Sequence, residues 1–242
     1  MISRIPLRLV RSLKPLNMTP VCAPFCSQIE KINKNGQKLM KIVEKELKYE
    51  KTNYVADDSA LEFVQKAGFQ LKDTEGDHLI TLEKKVGDIK VIVQFQQRQP
   101  NSEFEDEQEE ETNKQEKDQE NEEEKQEPAE YADFTVYLQK NNGQILCYEC
   151  TTSKGEINVN MVSLVKNLEE HQKIPRYERG LQDYSGPEFI SLDERLQMTL
   201  VEYLRGFGIN DELGAFVEHY SLDKEERLYI QWLDQLTTFL KN

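Results

Sequence analysis

Apolar residues recur at helical spacing near the start of the chain and again at its end. Between residues 27 and 54 they follow steps of three and four, with lysine and glutamate at many other positions, which predicts one long amphipathic helix. Residues 59–68 predict a second, short helical segment. The apolar positions of the long helix are Ile29, Ile32, Leu39, Met40, Val43 and Leu47.

Three more apolar stripes at helical spacing fill the end of the chain, at residues 192–207, 213–220 and 228–240. Residue pairs with the spacing of a capping box stand before the first and third stripes, and a glycine follows the first. We therefore predict three separate C-terminal helices, each with one face that must be buried. The end signals are Ser191 with Glu194, Asp223 with Glu226, and Gly208.

Alternating apolar positions between these helical regions predict strands. Gly87-Asp88 and Asn142-Gly143 are favourable hairpin turns, so the strands on either side of each should be antiparallel. Strands joined by tight turns form a meander, here an antiparallel sheet with one apolar face that the C-terminal helices must cover. The predicted strands lie near residues 69–71, 80–86, 89–95, 134–138, 145–150 and 157–165.

The first and last helices are expected to lie side by side. The stripe of the first helix has near-heptad spacing, which is typical of helices that pack along one another. The stripe at residues 228–240 is its expected partner. The positions predicted to make this contact, or a contact between subunits, are Leu39, Val43, Leu47, Tyr229, Leu236 and Phe239.

One strongly acidic stretch interrupts the meander between two strands. Residues 103–130 contain 15 Asp or Glu and 3 Lys or Arg, a balance of −12, whereas the whole chain carries −14. Phe104 is the only large apolar residue before Tyr131, so residues 98–132 cannot bury enough surface to offset their ordering entropy, and we predict a disordered loop. A surface so negative favours basic partners and disfavours nucleic acid and anionic membranes.

Three roles are open for this acidic stretch. It can keep the protein soluble, attract basic proteins, or hold Ca²⁺ or Mg²⁺ loosely. The third role is the weakest, because nothing here matches the spaced ligands of an EF-hand loop. The carboxylates predicted to bind a partner are Glu103, Glu105, Asp106, Glu107, Glu109, Glu110, Glu111, Glu116, Asp118, Glu120, Glu122, Glu123, Glu124 and Glu127.

The first 28 residues have the opposite charge. They contain Arg4, Arg8, Arg11 and Lys14, several hydroxyl side chains and no acidic residue, a balance of +4. This composition is typical of a mitochondrial transit peptide, with a disordered basic tail as the alternative. We therefore predict a transit peptide over residues 1–28 and a single domain over residues 29–242.

The residues that could carry chemistry form no catalytic constellation. Cys147 and Cys150 have C-x-x-C spacing, but residues three apart on a strand point to opposite faces, and no second cysteine pair or nearby histidine completes a metal or redox site. His78, His171 and His219 are scattered, without a Ser or Cys partner at a catalytic spacing. We predict a protein that is not an enzyme and binds no cofactor or metal.

Two further features limit the range of partners. Mean hydropathy is −0.74 and no apolar run approaches the ~18 residues needed to cross a bilayer, so no transmembrane segment is predicted. Residues 166–190 are loop-like and contain the basic and aromatic residues Lys173, Arg176, Tyr177 and Arg179. Such a loop can contact a polyanion, but on an acidic protein it more often neutralises a neighbouring carboxylate.

A sequence motif near the C-terminus resembles a known family. It runs Tyr-x-Gly-Pro-x-Phe, then Leu-Asp-Glu, a Tyr-Leu pair, Gly-Ile, and a closing Tyr-x-x-Trp-Leu-x-x-Leu-x-x-Phe, in the order found in the mitochondrial glycoprotein family. The residues that carry the resemblance are Tyr184, Gly186, Pro187, Phe189, Leu192, Asp193, Glu194, Tyr203, Leu204, Gly208, Ile209, Tyr229, Trp232, Leu233, Leu236 and Phe239. No catalytic motif is among them.

The resemblance implies a fold of the α+β class. Members have a strongly twisted antiparallel sheet of about seven strands, covered on one face by an N-terminal helix and C-terminal helices. Three chains form a ring with an acidic face, in which the first and last helices pair. The pairing expected above from the apolar stripes agrees with this arrangement.

The resemblance also implies a function. Members are imported into the mitochondrial matrix and act as non-enzymatic acidic chaperones or scaffolds tied to mitochondrial ribosome assembly, translation and oxidative phosphorylation. Two hypotheses follow for this chain. It is a homotrimer that binds basic proteins such as ribosomal proteins, or a fixed subunit of a respiratory or ribosomal complex, alone or in a heterotrimer with paralogues.

Overall fold

The computed structural model describes residues 23–56, 59–98, 131–179, 184 and 186–241. These residues form five helices and six strands, and single 3-10 turns lie at Arg176–Glu178 and Phe189–Ser191. In chain order the elements are α1 (Ala23–Asn53), α2 (Ser59–Lys66), β1 (Gln70–Asp73), β2 (Leu79–Val86), β3 (Ile89–Gln96), β4 (Tyr131–Lys140), β5 (Ile145–Ser153), β6 (Glu156–Val165), α3 (Leu168–Lys173), α4 (Glu194–Arg205) and α5 (Asp211–Lys241).

The strands form one antiparallel sheet in which chain order and spatial order are the same, β1 to β6. The predicted meander is therefore confirmed. Lys154 and Gly155 adopt φ values of 55° and 80°, as a two-residue hairpin turn of type I′ requires. The described part of the chain contains six strands, against an expectation of about seven. The strands that flank the acidic stretch, β3 and β4, are direct neighbours, with Phe95 opposite Phe134.

The main hydrophobic core lies between the sheet and the helices α2, α4 and α5, as predicted. Inward-facing residues of the central strands, such as Val93 and Val136, are fully buried there. From the helices, the Phe216 ring of α5 stacks on Phe63 with ring centroids 4.9 Å apart and meets Phe95 edge to face at 6.1 Å. Burial of this apolar face on the helices is what holds the sheet and the C-terminal region together.

The opposite face of the sheet has a smaller apolar cluster, whereas the sequence pattern predicted one apolar face. It contains Ile92, Tyr137, Ile145, Cys147 and Val165. Leu168 of α3 packs against this cluster, and the Tyr137 hydroxyl group lies 3.2 Å from Nδ1 of His171. The segment after β6 thus folds back over a face that periodicity alone left open to solvent.

The C-terminal region contains two helices, not the predicted three, because α5 is one continuous helix of 31 residues. The expected break around Asp223 and Glu226 is wrong. Ser221 and Lys224 are buried at 0% and 1% exposure, so the polar interval in the apolar stripe is an interior charge site rather than a helix end. The cap of α4 is also corrected. Asp193, not Ser191, accepts the backbone N–H groups of its first turn.

The first and last helices pack side by side in antiparallel directions. Lys51 Nζ lies 3.1 Å from Asp234 Oδ1, and Lys241 Nζ lies 3.8 Å from Glu44 Oε1. This confirms the predicted pairing of the two helices. Because Glu44 already lies beside Lys241, the first part of α1 runs beyond the end of α5.

Candidate interaction surfaces

The predicted partner-binding carboxylates, Glu103 to Glu127, lie outside the described residues. The structure does describe the residues on either side, up to Arg98 and from Tyr131 onward. The backbone N–H of Arg98 donates to the Ser221 carbonyl oxygen at 3.1 Å. The Arg98 Nη1 atom also donates to the Tyr131 carbonyl oxygen, at 3.4 Å. The segment therefore leaves and rejoins the fold at one place, beside the middle of α5.

A buried charge site lies where α5 passes the end of β1. Lys224 Nζ pairs with Asp73 Oδ1 and donates to the Thr74 carbonyl oxygen at 2.8 Å. The Tyr220 hydroxyl group donates to Asp73 Oδ2 at 2.7 Å, and Arg227 Nη2 lies 2.9 Å from the same oxygen. Burial favours a raised pKa for Asp73, but these hydrogen bonds outweigh it and hold the pKa below its usual value. The carboxylate is therefore fixed in its charged form.

A second carboxylate joins this site to α1. Asp223 Oδ2 accepts a hydrogen bond from Arg227 Nε at 2.8 Å, and Asp223 Oδ1 accepts one from the Tyr54 hydroxyl group at 2.9 Å. Burial, with the hydrogen bond to Asp223, raises the pKa of Tyr54 to about 12. The end of α1 is thus tied to the middle of α5, close to the root of the acidic stretch.

On the other face of the sheet, the predicted basic loop neutralises carboxylates of the strands. Arg179 Nη1 lies 3.3 Å from Glu149 Oε1 and donates to Thr135 Oγ1 at 3.2 Å. Arg176 Nη1 lies 2.8 Å from Asp133 Oδ1, and its Nε atom lies 3.4 Å from Glu149 Oε2. The guanidinium groups are thus engaged within the fold, which confirms the neutralising role over that of a polyanion site.

The first half of the family motif packs against the edge strand β6. Gly186 has φ of +89°, and a Cβ atom there would lie 2.6 Å from the Val162 carbonyl oxygen, so a glycine is required at this close approach. Glu188 forms an isolated bridge to Met161, and Phe189 is buried. Tyr184 remains exposed at 84%. Pro187, Leu192, Asp193 and Glu194 complete the turn into α4.

The predicted helix-contact residues divide into buried and exposed groups. Val43 is buried, and Leu47 and Leu236 are half-buried. The exposed group is Leu39 at 44%, Tyr229 at 37% and Phe239 at 75%. Of the two nearby motif residues, Leu233 is buried, and Trp232, which is 53% exposed, stacks on Tyr229 with ring centroids 5.9 Å apart. Their role between subunits stays a prediction.

The two strand cysteines point to opposite faces of the sheet, as predicted. Cys147 belongs to the smaller cluster and Cys150 to the main core. Both are free thiols, and burial raises the pKa of Cys147 to about 12 and also raises the pKa of Cys150. A thiolate for metal binding or redox chemistry is therefore disfavoured at either position.

Among the residues that the structure describes, no group of three His, Cys, Asp or Glu side chains is arranged to hold a metal ion. Among the helices in the described ranges, none is long and apolar enough to span a bilayer.

One contact between α5 and the β5–β6 hairpin was not foreseen. A Cβ atom at Gly214 would lie 2.3 Å from the Gly155 carbonyl oxygen, so the helix backbone rests directly on the turn. Glu218 then accepts hydrogen bonds from the Thr152 hydroxyl group at 2.7 Å and from the Gly155 N–H at 3.1 Å. Gly214 was a sequence signal for this contact, because a glycine inside an apolar helical stripe often marks a close approach of two backbones.

Two solved structures share this fold. A protein of Leishmania major, described as a hypothetical protein of unknown function and a sequence homologue of human p32, has a TM-score of 0.63 and 19% identity, covering 85% of this chain and 99% of its own. The p22 protein of Trypanosoma brucei has a TM-score of 0.59 and 20% identity, covering 85% and 98%. At such identity the likeness establishes the architecture alone.

Sequence comparison is more specific. The mitochondrial acidic protein mam33 of Schizosaccharomyces pombe is 26% identical over 216 residues, which cover 84% of this chain and 78% of that protein. The family model described as mitochondrial glycoprotein matches residues 43–240, from the paired part of α1 to the end of α5. The chain belongs to the mitochondrial glycoprotein family.

Proposed function

We propose that this protein is a non-enzymatic acidic scaffold or chaperone of the mitochondrial matrix that binds basic proteins through residues 103–130. In this role it supports mitochondrial ribosome assembly, translation and oxidative phosphorylation. The observation that carries the proposal is the concentration of charge, because those residues account for −12 of the chain's net −14. The residues outside this stretch and outside residues 1–28 carry a balance of only −6.

The position of the segment supports this role. Its flanking residues are joined where Arg98 Nη1 donates to the Tyr131 carbonyl oxygen, and the Arg98 N–H anchors them to Ser221 of α5. Many carboxylates attached at one point give a high local charge density, which attracts lysine-rich and arginine-rich surfaces over a Debye length of about 8 Å at physiological salt. Binding of this kind requires complementary charge rather than a shaped pocket, and so it suits several basic partners.

Two observations support the mitochondrial location. Residues 1–28 have the basic, acid-free composition of a transit peptide. The S. pombe relative is named as a mitochondrial acidic protein. We propose import into the matrix followed by removal of the leader.

We propose a trimer as the working form. Beyond the end of α5, α1 carries apolar side chains that remain about half exposed in the described monomer, since Ile29, Ile32 and Leu39 are 43%, 60% and 44% exposed. Phe239, near the end of α5, is 75% exposed. Apolar side chains that remain exposed along paired helices are typical of subunit contacts. The trimer consists of identical chains or includes paralogues.

The test compares the full chain with a variant of equal length in which the fourteen predicted carboxylates of residues 103–127 are changed to their amides. Binding to a lysine-rich peptide and to basic ribosomal proteins is measured by calorimetry over a range of salt concentrations. We expect affinity to fall roughly tenfold or more and its salt dependence to flatten. Unchanged binding would refute the proposal.

A second function, that of a fixed subunit in a respiratory or ribosomal complex, is favoured by apolar surface near the edge strand β6. Leu164 is 78% exposed and lines one groove with Tyr184 and another with Tyr203. Exposed apolar surface beside the edge strand of a sheet suits a permanent partner. Native mass measurement on mitochondrial extracts separates the two functions, because a free trimer supports the scaffold and a constant place in a large particle supports the subunit.

A further inference from the structure

The exposed side of α1 carries a row of lysines. Successive members are three, four, three, four and three residues apart, which is the spacing that keeps side chains on one face of an α-helix. We call these residues the lysine face. They are Lys31, Lys34, Lys38, Lys41, Lys45 and Lys48.

The lysine face points away from the body of the protein. At about 100° per residue its members fall within an arc of about 100°, roughly opposite the buried side chain of Val43. All six side chains are exposed, and the row is about 26 Å long at ~1.5 Å per residue. Because Glu44 lies beside Lys241 at the end of α5, more than half of the row lies beyond that end.

Within the described residues, no carboxylate forms an ion pair with the lysine face. Other charges on α1 behave differently, since Lys51 pairs with Asp234 at 3.1 Å and Glu44 pairs with Lys241 at 3.8 Å. Like charges three and four residues apart repel one another and destabilise a helix slightly. An external polyanion that neutralises the row would therefore stabilise α1 while it binds.

Apolar side chains along one margin of the row indicate which polyanion fits. Ile42 and Tyr49, seven residues apart, are 66% and 63% exposed and lie next to the lysines around the helix. Phosphates of a nucleic acid offer no partner for an exposed isoleucine, whereas the boundary between headgroups and acyl chains accepts both aliphatic and tyrosine side chains. The row contains no arginine, the residue suited to bidentate phosphate recognition, and lysine acts as a point charge.

We propose that the lysine face docks α1 lengthwise on a membrane surface that contains anionic phospholipids, with Ile42 and Tyr49 entering the headgroup layer. The negative net charge of the chain does not prevent this, because charges more than about 8 Å from the lipid are screened at physiological salt. Each lysine close to an anionic surface strengthens binding by roughly fivefold. The attachment is peripheral and leaves α5 and the sheet in water.

The test measures binding of the full chain to phosphatidylcholine vesicles with and without phosphatidylglycerol, at physiological salt. All proteins compared carry R4Q, R8Q, R11Q and K14Q, so the basic leader does not contribute. One variant adds K34Q, K38Q, K41Q and K45Q, and a control of equal net charge adds K66Q, K85Q, K140Q and K173Q at exposed lysines elsewhere. We expect binding only to the anionic vesicles, a loss of at least about tenfold in the α1 variant, and a change of less than about twofold in the control.

A further variant, Ile42→Ser with Tyr49→Ser, distinguishes lipid from nucleic acid. We expect it to weaken vesicle binding by roughly fivefold and to leave any binding to a single-stranded RNA oligonucleotide unchanged. Circular dichroism of each variant verifies that the helices remain. Three results would overturn the proposal: no binding to anionic vesicles, equal losses in the α1 and control variants, or RNA binding that requires the lysine face in a protein that ignores vesicles.

Discussion

The two faces of the sheet are closed in different ways. The helix-covered face buries a large apolar core, and the ion pair at its margin is nearly inaccessible, with side-chain exposures of 1% for Lys224 and 9% for Asp73. The opposite face has a smaller apolar cluster beside Glu149, and Glu149 pairs with Arg179, both 11% exposed, and with Arg176 at 26% exposure. Charges sealed in a core cannot be replaced by water, whereas charges near solvent can. We therefore expect the two faces to respond unequally to damage.

The largest effect is expected from Asp73→Ala, which leaves the Lys224 ammonium group buried without its carboxylate. Breaking a buried pair from one side typically costs about 3–5 kcal/mol. Urea denaturation of the full chain would measure the loss. Replacing both partners, as Asp73→Leu with Lys224→Met, should recover most of it, because no uncompensated charge remains. A single variant as stable as the double one would contradict this account.

On the opposite face, Arg179→Ala should destabilise less, by about 1–2 kcal/mol, since Glu149 keeps Arg176 as a partner. The same urea titration applies. Arg195→Ala is the matched control, because Arg195 is an exposed arginine of α4, and it should change stability by less than about 0.5 kcal/mol. If Arg179→Ala costs more than Asp73→Ala, the contrast between the faces is wrong.

The two strand cysteines report separately on the two faces. In a chain with Cys22→Ser and Cys26→Ser, we expect Cys147 to react with a thiol reagent roughly tenfold faster than Cys150. The smaller apolar cluster around Cys147 should open at a lower cost in free energy than the main core around Cys150. Labelling followed by mass spectrometry gives both rates. Adding Arg179→Ala should accelerate Cys147 and leave Cys150 unchanged. Equal rates would mean that the sheet opens only as a whole.

The smallest effect is expected in the dependence of the free energy of unfolding on acidic pH. Hydrogen bonds from Lys224, Tyr220 and Arg227 hold the pKa of Asp73 below its usual value despite burial. A carboxyl group with a depressed pKa in the folded state contributes stability above its unfolded pKa, about 4, and that stability is lost as pH falls through the folded value. Urea titrations below about pH 4 should therefore show a flatter loss of stability in Asp73→Asn than in the unsubstituted chain. Identical slopes would contradict the assignment.

The parts of the fold that could be predicted from sequence are those set by neighbouring residues. Hairpin turns such as Gly87-Asp88 and Asn142-Gly143 depend on local backbone conformation, and antiparallel pairing of the strands on either side followed from them. The long first helix and its pairing with the end of the last helix also followed from apolar spacing, whereas the continuity of the last helix through residue 223 did not. The family motif placed Gly186 and Phe189 at a structural turn, although their contact with β6 was visible only in three dimensions.

The errors arose where the partner is distant in sequence. Lys224 lies in the interval where a helix start was predicted, and its partner Asp73 is 151 positions away in the chain. The cover of the second sheet face could not be predicted either, because Arg176 and Arg179 gave no sign of which carboxylates they meet. The spacing of the lysine face was present in the sequence, but it acquired a meaning only when the side of α1 that meets α5 was known.

The unbroken course of α5 also has a mechanical consequence. The helix α5 is about 46 Å long at ~1.5 Å per residue. It packs on the sheet near Gly214 and contacts α1 near Lys241. Ser221 binds the backbone at the start of the acidic stretch, and it lies on α5 between the contact with the sheet and the contact with α1. If α1 moves, we expect α5 to tilt as one unit. That tilt would displace Ser221 and, with it, the attachment of the acidic stretch.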